Sequence, residues 1–127
     1  MKKRFLILSI LVVLVLSFCF GCGNSVEGKY RFDKLYDSST DKIYNIDDKY
    51  DGEVLTKEFC VIILESGNNM TIKISDGNRT IETAGVWYKG PLDCYALESK
   101  TFSGTAYFDG DTLVFDTGYE IIFLEKA

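Results

Sequence analysis

The spacing of turn residues after Val26 constrains this chain more than any other feature. Ser66-Gly67-Asn68-Asn69, Asp76-Gly77-Asn78, Gly90-Pro91-Leu92-Asp93, Asp109-Gly110 and Thr117-Gly118 divide it into short runs in which apolar and polar residues alternate. Alternation with a period of two puts one face of an extended strand in a core and the other in water. A helix would need apolar residues three and four apart over several turns, and no such spacing occurs here. The expected class is therefore all-β, an antiparallel sandwich or barrel.

Eight strands are expected. Tyr30 and Phe32 alternate with Lys29, Arg31 and Asp33 in the first, and Phe59 to Leu64, apolar on both faces, makes a central second. Met70, Ile72 and Ile74 mark the third, and Thr80 to Tyr88 the fourth, with Gly85 expected to bulge or bend it. Cys94 to Leu97, Phe102 to Phe108, Thr112 to Asp116 and Tyr119 to Leu124 complete the set. Asp109-Gly110 is a hairpin signal, because both residues tolerate positive φ. The segment from Tyr36 to Thr56 breaks the rhythm. It is long, polar and acidic, and is expected to be a solvated loop over one end of the fold, with a short helical turn around Lys42 to Tyr50.

Ahead of the strands stand Lys2, Lys3 and Arg4, then sixteen uncharged residues from Phe5 to Phe20, then Gly21-Cys22-Gly23. A basic head, an apolar stretch and small residues form a targeting segment, here a signal helix, rather than part of a domain. Gly21-Cys22 resembles the lipobox of bacterial lipoproteins, in which a small residue precedes the cysteine that is lipidated and becomes the mature N-terminus. The alternative is an uncleaved signal anchor in which Cys22 is an ordinary thiol. Two or three acyl chains, at about 0.8 kcal/mol per buried methylene, hold a domain at a membrane without a span. The expected organisation is a signal peptide over 1–21, a lipidated cysteine and tether over 22–27, and one domain over 28–127 at the extracytoplasmic face of the cell membrane.

Charge and composition narrow the function classes. The first 21 residues hold three of the chain's 14 Lys and Arg and none of its 19 Asp and Glu, which leaves 11 against 19, a net of −8, on the remainder. So acidic a domain has little with which to neutralise a phosphate backbone, which argues against nucleic acid. The chain has no histidine, which removes Ser-His-Asp and Cys-His nucleophile systems and the usual neutral-pH proton shuttle. Trp87, all eight tyrosines and six of the nine phenylalanines lie beyond Cys22, enough to pack a β interior.

Gly28-Lys29-Tyr30-x-Phe32 soon after a lipidated cysteine resembles the small lipocalin-like lipoproteins of Gram-positive bacteria. So do the acidic loop, Trp87 late in the fourth strand, and the closing pattern Gly104-Thr105-x-Tyr107-x-Asp109-Gly110-Asp111-x-Leu113-x-Phe115 with Phe123-x-x-Lys126. The resemblance implies a calycin-type, eight-stranded, up-and-down antiparallel barrel, mostly of unassigned function. Lipocalins carry an arginine over a first-strand tryptophan; this chain has Lys126 and Tyr30 there. With short strands and many aromatic residues, the interior is expected to be mostly filled.

Few residues suggest chemistry. Cys60 and Cys94 either form a disulfide in an exported compartment or remain two thiols; three strand spacings of about 4.8 Å separate them in a meander, against a reach of roughly 7 Å. Asp47, Asp51, Gly52 and Glu58 fall at EF-hand positions, but Lys49 occupies a ligand position and no helices flank them, so a charged loop is the better account. No residue is singled out as catalytic, and no cofactor or metal is expected. The expected function is a non-enzymatic binding domain for a small apolar ligand or envelope component; the alternative is a protein-interaction or inhibitor module that works through the barrel surface or the Tyr36–Thr56 loop.

Overall fold

The computed structural model of the protein describes residues 26–76 and 79–127. The signal segment and Cys22 lie outside the described residues. Among the described residues eleven strands follow in chain order: β1 (Gly28–Asp37), β2 (Lys42–Asn45), β3 (Lys49–Tyr50), β4 (Glu53–Val54), β5 (Cys60–Glu65), β6 (Asn69–Asp76), β7 (Arg79–Lys89), β8 (Tyr95–Ser99), β9 (Ser103–Asp109), β10 (Thr112–Asp116) and β11 (Glu120–Lys126).

Each strand from β5 to β11 pairs antiparallel with the next, and β1 pairs with both β5 and β11. These eight strands close into a barrel, so no edge of the main sheet runs the whole length of the molecule unpaired. The expected strands all form. In β5, Cys60, Val61 and Ile62 are all buried, as a run that is apolar on both faces requires.

The two halves of β1 have different neighbours. Gly28–Arg31 pair with β5, whereas Lys34–Asp37 pair with β2. The segment between β1 and β5 therefore continues the sheet before folding back across the barrel end. Lys42 to Tyr50 forms no helical turn, since β2 and β3 occupy it. Asp51 and Gly52, with φ of 55° and 86°, make a two-residue hairpin between β3 and β4, for which both residues must take positive φ. Here the Asp-Gly signal works in a stretch expected to be loop. At Asp109-Gly110 the turn sits one residue later: Asp109 pairs with Thr112, and Gly110 carries the positive φ of 67°.

The register of β1 against β11 slips between Phe32 and Lys34, leaving Asp33 as a bulge. Without it, strict alternation from Tyr30 and Phe32 would bring Lys34 inward. With it, Leu35 is buried completely, and Lys34 turns outward to place its Nζ 5.3 Å from the centre of the Phe123 ring. No slip occurs at Gly85, whose ladders to β6 and β8 are continuous. That glycine answers a close approach instead: a Cβ there would lie 2.1 Å from the Glu98 carbonyl oxygen and 2.9 Å from Met70 Cε.

The N-terminal end of the barrel is closed by rings. Tyr30 lies 5.7 Å from Phe108, Phe108 5.2 Å from Tyr95, and Tyr95 6.1 Å from Trp87. Two polar tips of this row are bonded to the backbone: the Tyr30 hydroxyl donates to the Val26 carbonyl at 2.7 Å and Trp87 Nε1 to that of Glu65 at 3.0 Å. Lys126 places its Nζ 6.0 Å from the Tyr30 ring centre, and a Cβ on Gly28 would strike its Cε at 2.8 Å. Above the rings, Phe32, Leu35, Leu55, Ile62, Leu64, Met70, Ile72, Leu97, Leu113, Phe115 and Leu124 fill the middle. The interior is thus mostly occupied by its own side chains, except at the opposite end.

Candidate functional site

At the end remote from Gly28, the β3–β4 hairpin lies across the barrel and leaves a cavity of about 230 Å³ beneath it. Its apolar surface comes from Phe59, Ile72, Ile74, Phe102, Phe115 and Ile122. Ile72, Ile74, Phe115 and Ile122 come from strands whose alternation aims them inward, whereas Phe59 and Phe102 immediately precede β5 and β9. Ile72 and Ile74 continue the buried face of β6 above Met70, and Ile122 continues that of β11 above Leu124.

The hairpin is fixed by chain and side chain together. The Leu55 amide donates to the Asp48 carbonyl at 2.9 Å and the Asp47 amide to that of Leu55 at 2.8 Å. Leu55 is fully buried and anchors the return of the chain into the core. Tyr50 packs against Tyr44 with ring centres 4.7 Å apart. Near the base of the loop, Arg31 Nη2 meets Glu58 Oε2 at 2.6 Å, and the Phe32 amide donates to the Lys57 carbonyl at 3.2 Å.

The rim is acidic. Asp51, Glu53 and Glu120 line the cavity together with Tyr50 and Thr117, and the lining includes no Lys or Arg among the described residues. The Tyr50 hydroxyl lies 2.7 Å from Asp37 Oδ2 and 2.7 Å from Glu120 Oε2. Burial, and then these two carboxylates, push the Tyr50 phenol well above its ordinary range. Asp37 is held below its usual value, first by the Ser39 hydroxyl at 2.6 Å, then by Tyr50 and by the Ser39 amide at 2.8 Å. Beneath the rim, the fully buried Cys60 thiol is pushed up to about 12 by burial and, secondarily, by the charge of Glu120.

Cys60 and Cys94 are both free, so the bridge that the sequence left open is not formed. Cys60 sits inside β5, Cys94 immediately precedes β8, and β6 and β7 run between those strands, which matches the separation expected from strand spacing. The EF-hand-like residues do not converge either, because Asp51 and Gly52 form the hairpin tip. Among the described residues, no group of three or more His, Cys, Asp or Glu is arranged to hold a metal ion.

Sequence reasoning placed the Tyr36–Thr56 segment over one end but singled out none of Asp37, Tyr50, Asp51, Glu53 and Glu120 as a group. Only one signal pointed to Glu120: it is two and four residues before Ile122 and Leu124, and so shares their inward face. Comparison with protein-family models, curated proteins and solved structures finds no match.

Proposed function

We propose that this chain is an extracytoplasmic lipoprotein, tethered to the cell membrane through an acylated Cys22, whose barrel binds a small, mainly apolar molecule without transforming it. The observation that carries the binding reading is the apolar cavity under the β3–β4 hairpin, in a barrel otherwise filled by its own side chains. A pocket at the mouth of a small barrel, walled by hydrocarbon and rimmed by a few polar groups, is the usual form of a small-molecule site. The anchor reading rests on the sequence around Cys22, and the fold is compatible with it. β1 begins at the ring-closed end, so a tether there turns the mouth away from the bilayer. In these terms the barrel is of lipocalin-like type.

Two experiments test the two halves. Cys22→Ser in the full-length chain moves it from the membrane fraction to the soluble one; unchanged membrane association overturns the anchor. Native mass spectrometry of the intact chain after incubation with a host extract shows a discrete added mass that is lost on denaturation; a bare protein mass overturns ligand carriage.

A second reading has its own observation. Ile43, Val54 and Tyr119, at 58%, 52% and 80% exposure, all stand at the mouth end. A protein partner or inhibited enzyme gripping the Tyr36–Thr56 segment would cover them. Crosslinking through these three positions distinguishes this from ligand carriage.

A further inference from the structure

We propose that the ligand of the mouth cavity is a small amphipathic amine: an apolar body of about one ring or a short branched chain, carrying a cationic nitrogen at the rim. This inference rests on the cavity being a ligand site and adds the chemical class of what enters it.

Volume sets the body. At about 230 Å³, the space exceeds the ~150 Å³ cavity that accepts benzene and falls below the ~300 Å³ at which drug-sized pockets begin. A single ring with a two-carbon arm fits that interval; a fatty-acyl chain does not.

Charge sets the head. The rim presents Asp51 and Glu53 from the hairpin and Glu120 from β11, with Asp37 joined to the last through Tyr50. A carboxylate or phosphate ligand would meet only like charge there. A neutral ligand would strip water from these oxygens and offer little in return, a desolvation that is unfavourable unless new donors replace the water. An ammonium group brings three donors and the complementary charge.

The Tyr50 geometry strengthens the case. One phenol proton faces two carboxylate oxygens, each at 2.7 Å. It serves one of them at a time, which leaves the other able to accept a proton donor supplied from outside. A metal ion is the less suitable cation, because no three of the described carboxylates converge on one point. The charge is spread around the edge of a hydrocarbon-walled space, a pattern that matches an organic cation with an apolar body.

The test uses three probes of one shape with the full-length chain in detergent, followed by isothermal titration with micelle blanks at neutral pH. They are 2-phenylethylamine, 2-phenylethanol and 3-phenylpropionate. The amine binds at least about tenfold more tightly than the alcohol, the acid binds most weakly, and added salt weakens the amine alone. Glu120→Gln reduces amine affinity severalfold and leaves the alcohol within about twofold. Glu53→Gln, on the exposed hairpin, acts in the same direction where the Glu120 variant folds poorly. Ile74→Trp, which fills the cavity, abolishes binding. Equal affinity for amine and alcohol, preference for the acid, or amine binding that survives Ile74→Trp overturns the cationic assignment. If none of the three binds, the cavity is not a ligand site and both readings fall together.

Discussion

The Tyr50 hydroxyl meets Oε2 of Glu120 at 2.7 Å, joining the β3–β4 hairpin to the last strand of the barrel across 70 positions of sequence. Its other partner, Asp37 Oδ2, lies on the first strand. One phenol therefore ties the hairpin to the seam at which the barrel closes. In Tyr50→Phe the ring still packs against Tyr44, but the tie is lost. The expected cost is about 1 kcal/mol of stability in urea denaturation. Amide exchange at Asp47 and Leu55 should accelerate while exchange within β5 and β6 stays unchanged; uniform acceleration throughout the barrel would contradict a local tie.

Stability should fall at alkaline pH because of two phenols. Burial, then the charge of Asp111 and the neighbouring Tyr95, raises Tyr30 from its ordinary 10 to about 12, and Tyr50 is raised as well. A group raised by folding contributes stability that is complete below its unfolded value and is lost as pH climbs through the folded one. The melting temperature should therefore hold up to about pH 10 and decline towards 12, with a shallower decline in Tyr30→Phe. Asp37 works in the opposite direction. It is lowered by folding, so its contribution is present above 3.8 and disappears as pH falls. Asp37→Asn should flatten the acid limb of the same melting curve.

Of the two thiols among the described residues, Cys94 should react with a disulfide reagent in the native protein and Cys60 only on unfolding. Cys60 is fully buried, and its pKa of about 12 leaves almost no thiolate at neutral pH, whereas Cys94 is half-buried. Peptide mapping of the labelled chain identifies which cysteine is modified. Equal labelling rates would mean that β5 opens readily.

Gly85→Ala should be among the most damaging single-methyl additions in the barrel. Its Cβ would stand 2.1 Å from the Glu98 carbonyl oxygen, a backbone atom that cannot swing aside, and 2.9 Å from Ser99 Cβ. Overpacking typically costs about 1–3 kcal/mol, and the upper end is expected here, read as a lower urea midpoint with an unchanged slope. A neutral result would mean that β7 and β8 can separate without loss.

The eight barrel strands were legible because alternation and turn residues agree along most of the chain. β2, β3 and β4 were not. Lys42-Ile43-Tyr44-Asn45 is too short and polar to show a period, and its strand form comes from the upper half of β1, which has no other neighbour on that side. The candidate site was harder still to see. In β11 both faces read as apolar, Ile122 and Leu124 on one and Ile121 and Phe123 on the other, so alternation puts Glu120 with Ile122 and Leu124 but does not say which face turns inward. Its direction became clear only from the pairing with β1, in which Asp37 stands opposite Glu120.

The Asp33 bulge has a consequence for the chain as a reading frame. Below it, even-numbered residues Tyr30 and Phe32 point into the barrel; above it, odd-numbered Leu35 is buried and Asp37 faces Tyr50. Straightening the bulge with every residue kept would send a lysine towards the core, expel a leucine and turn an acid at the mouth outward, whereas deleting Asp33 itself would let plain alternation keep Lys34 outside and Leu35 inside. A single extra residue in this strand therefore sets what the molecule can hold as well as how firmly it folds, while an insertion in the Ser38–Asp41 turn would leave the facing of β1 unchanged.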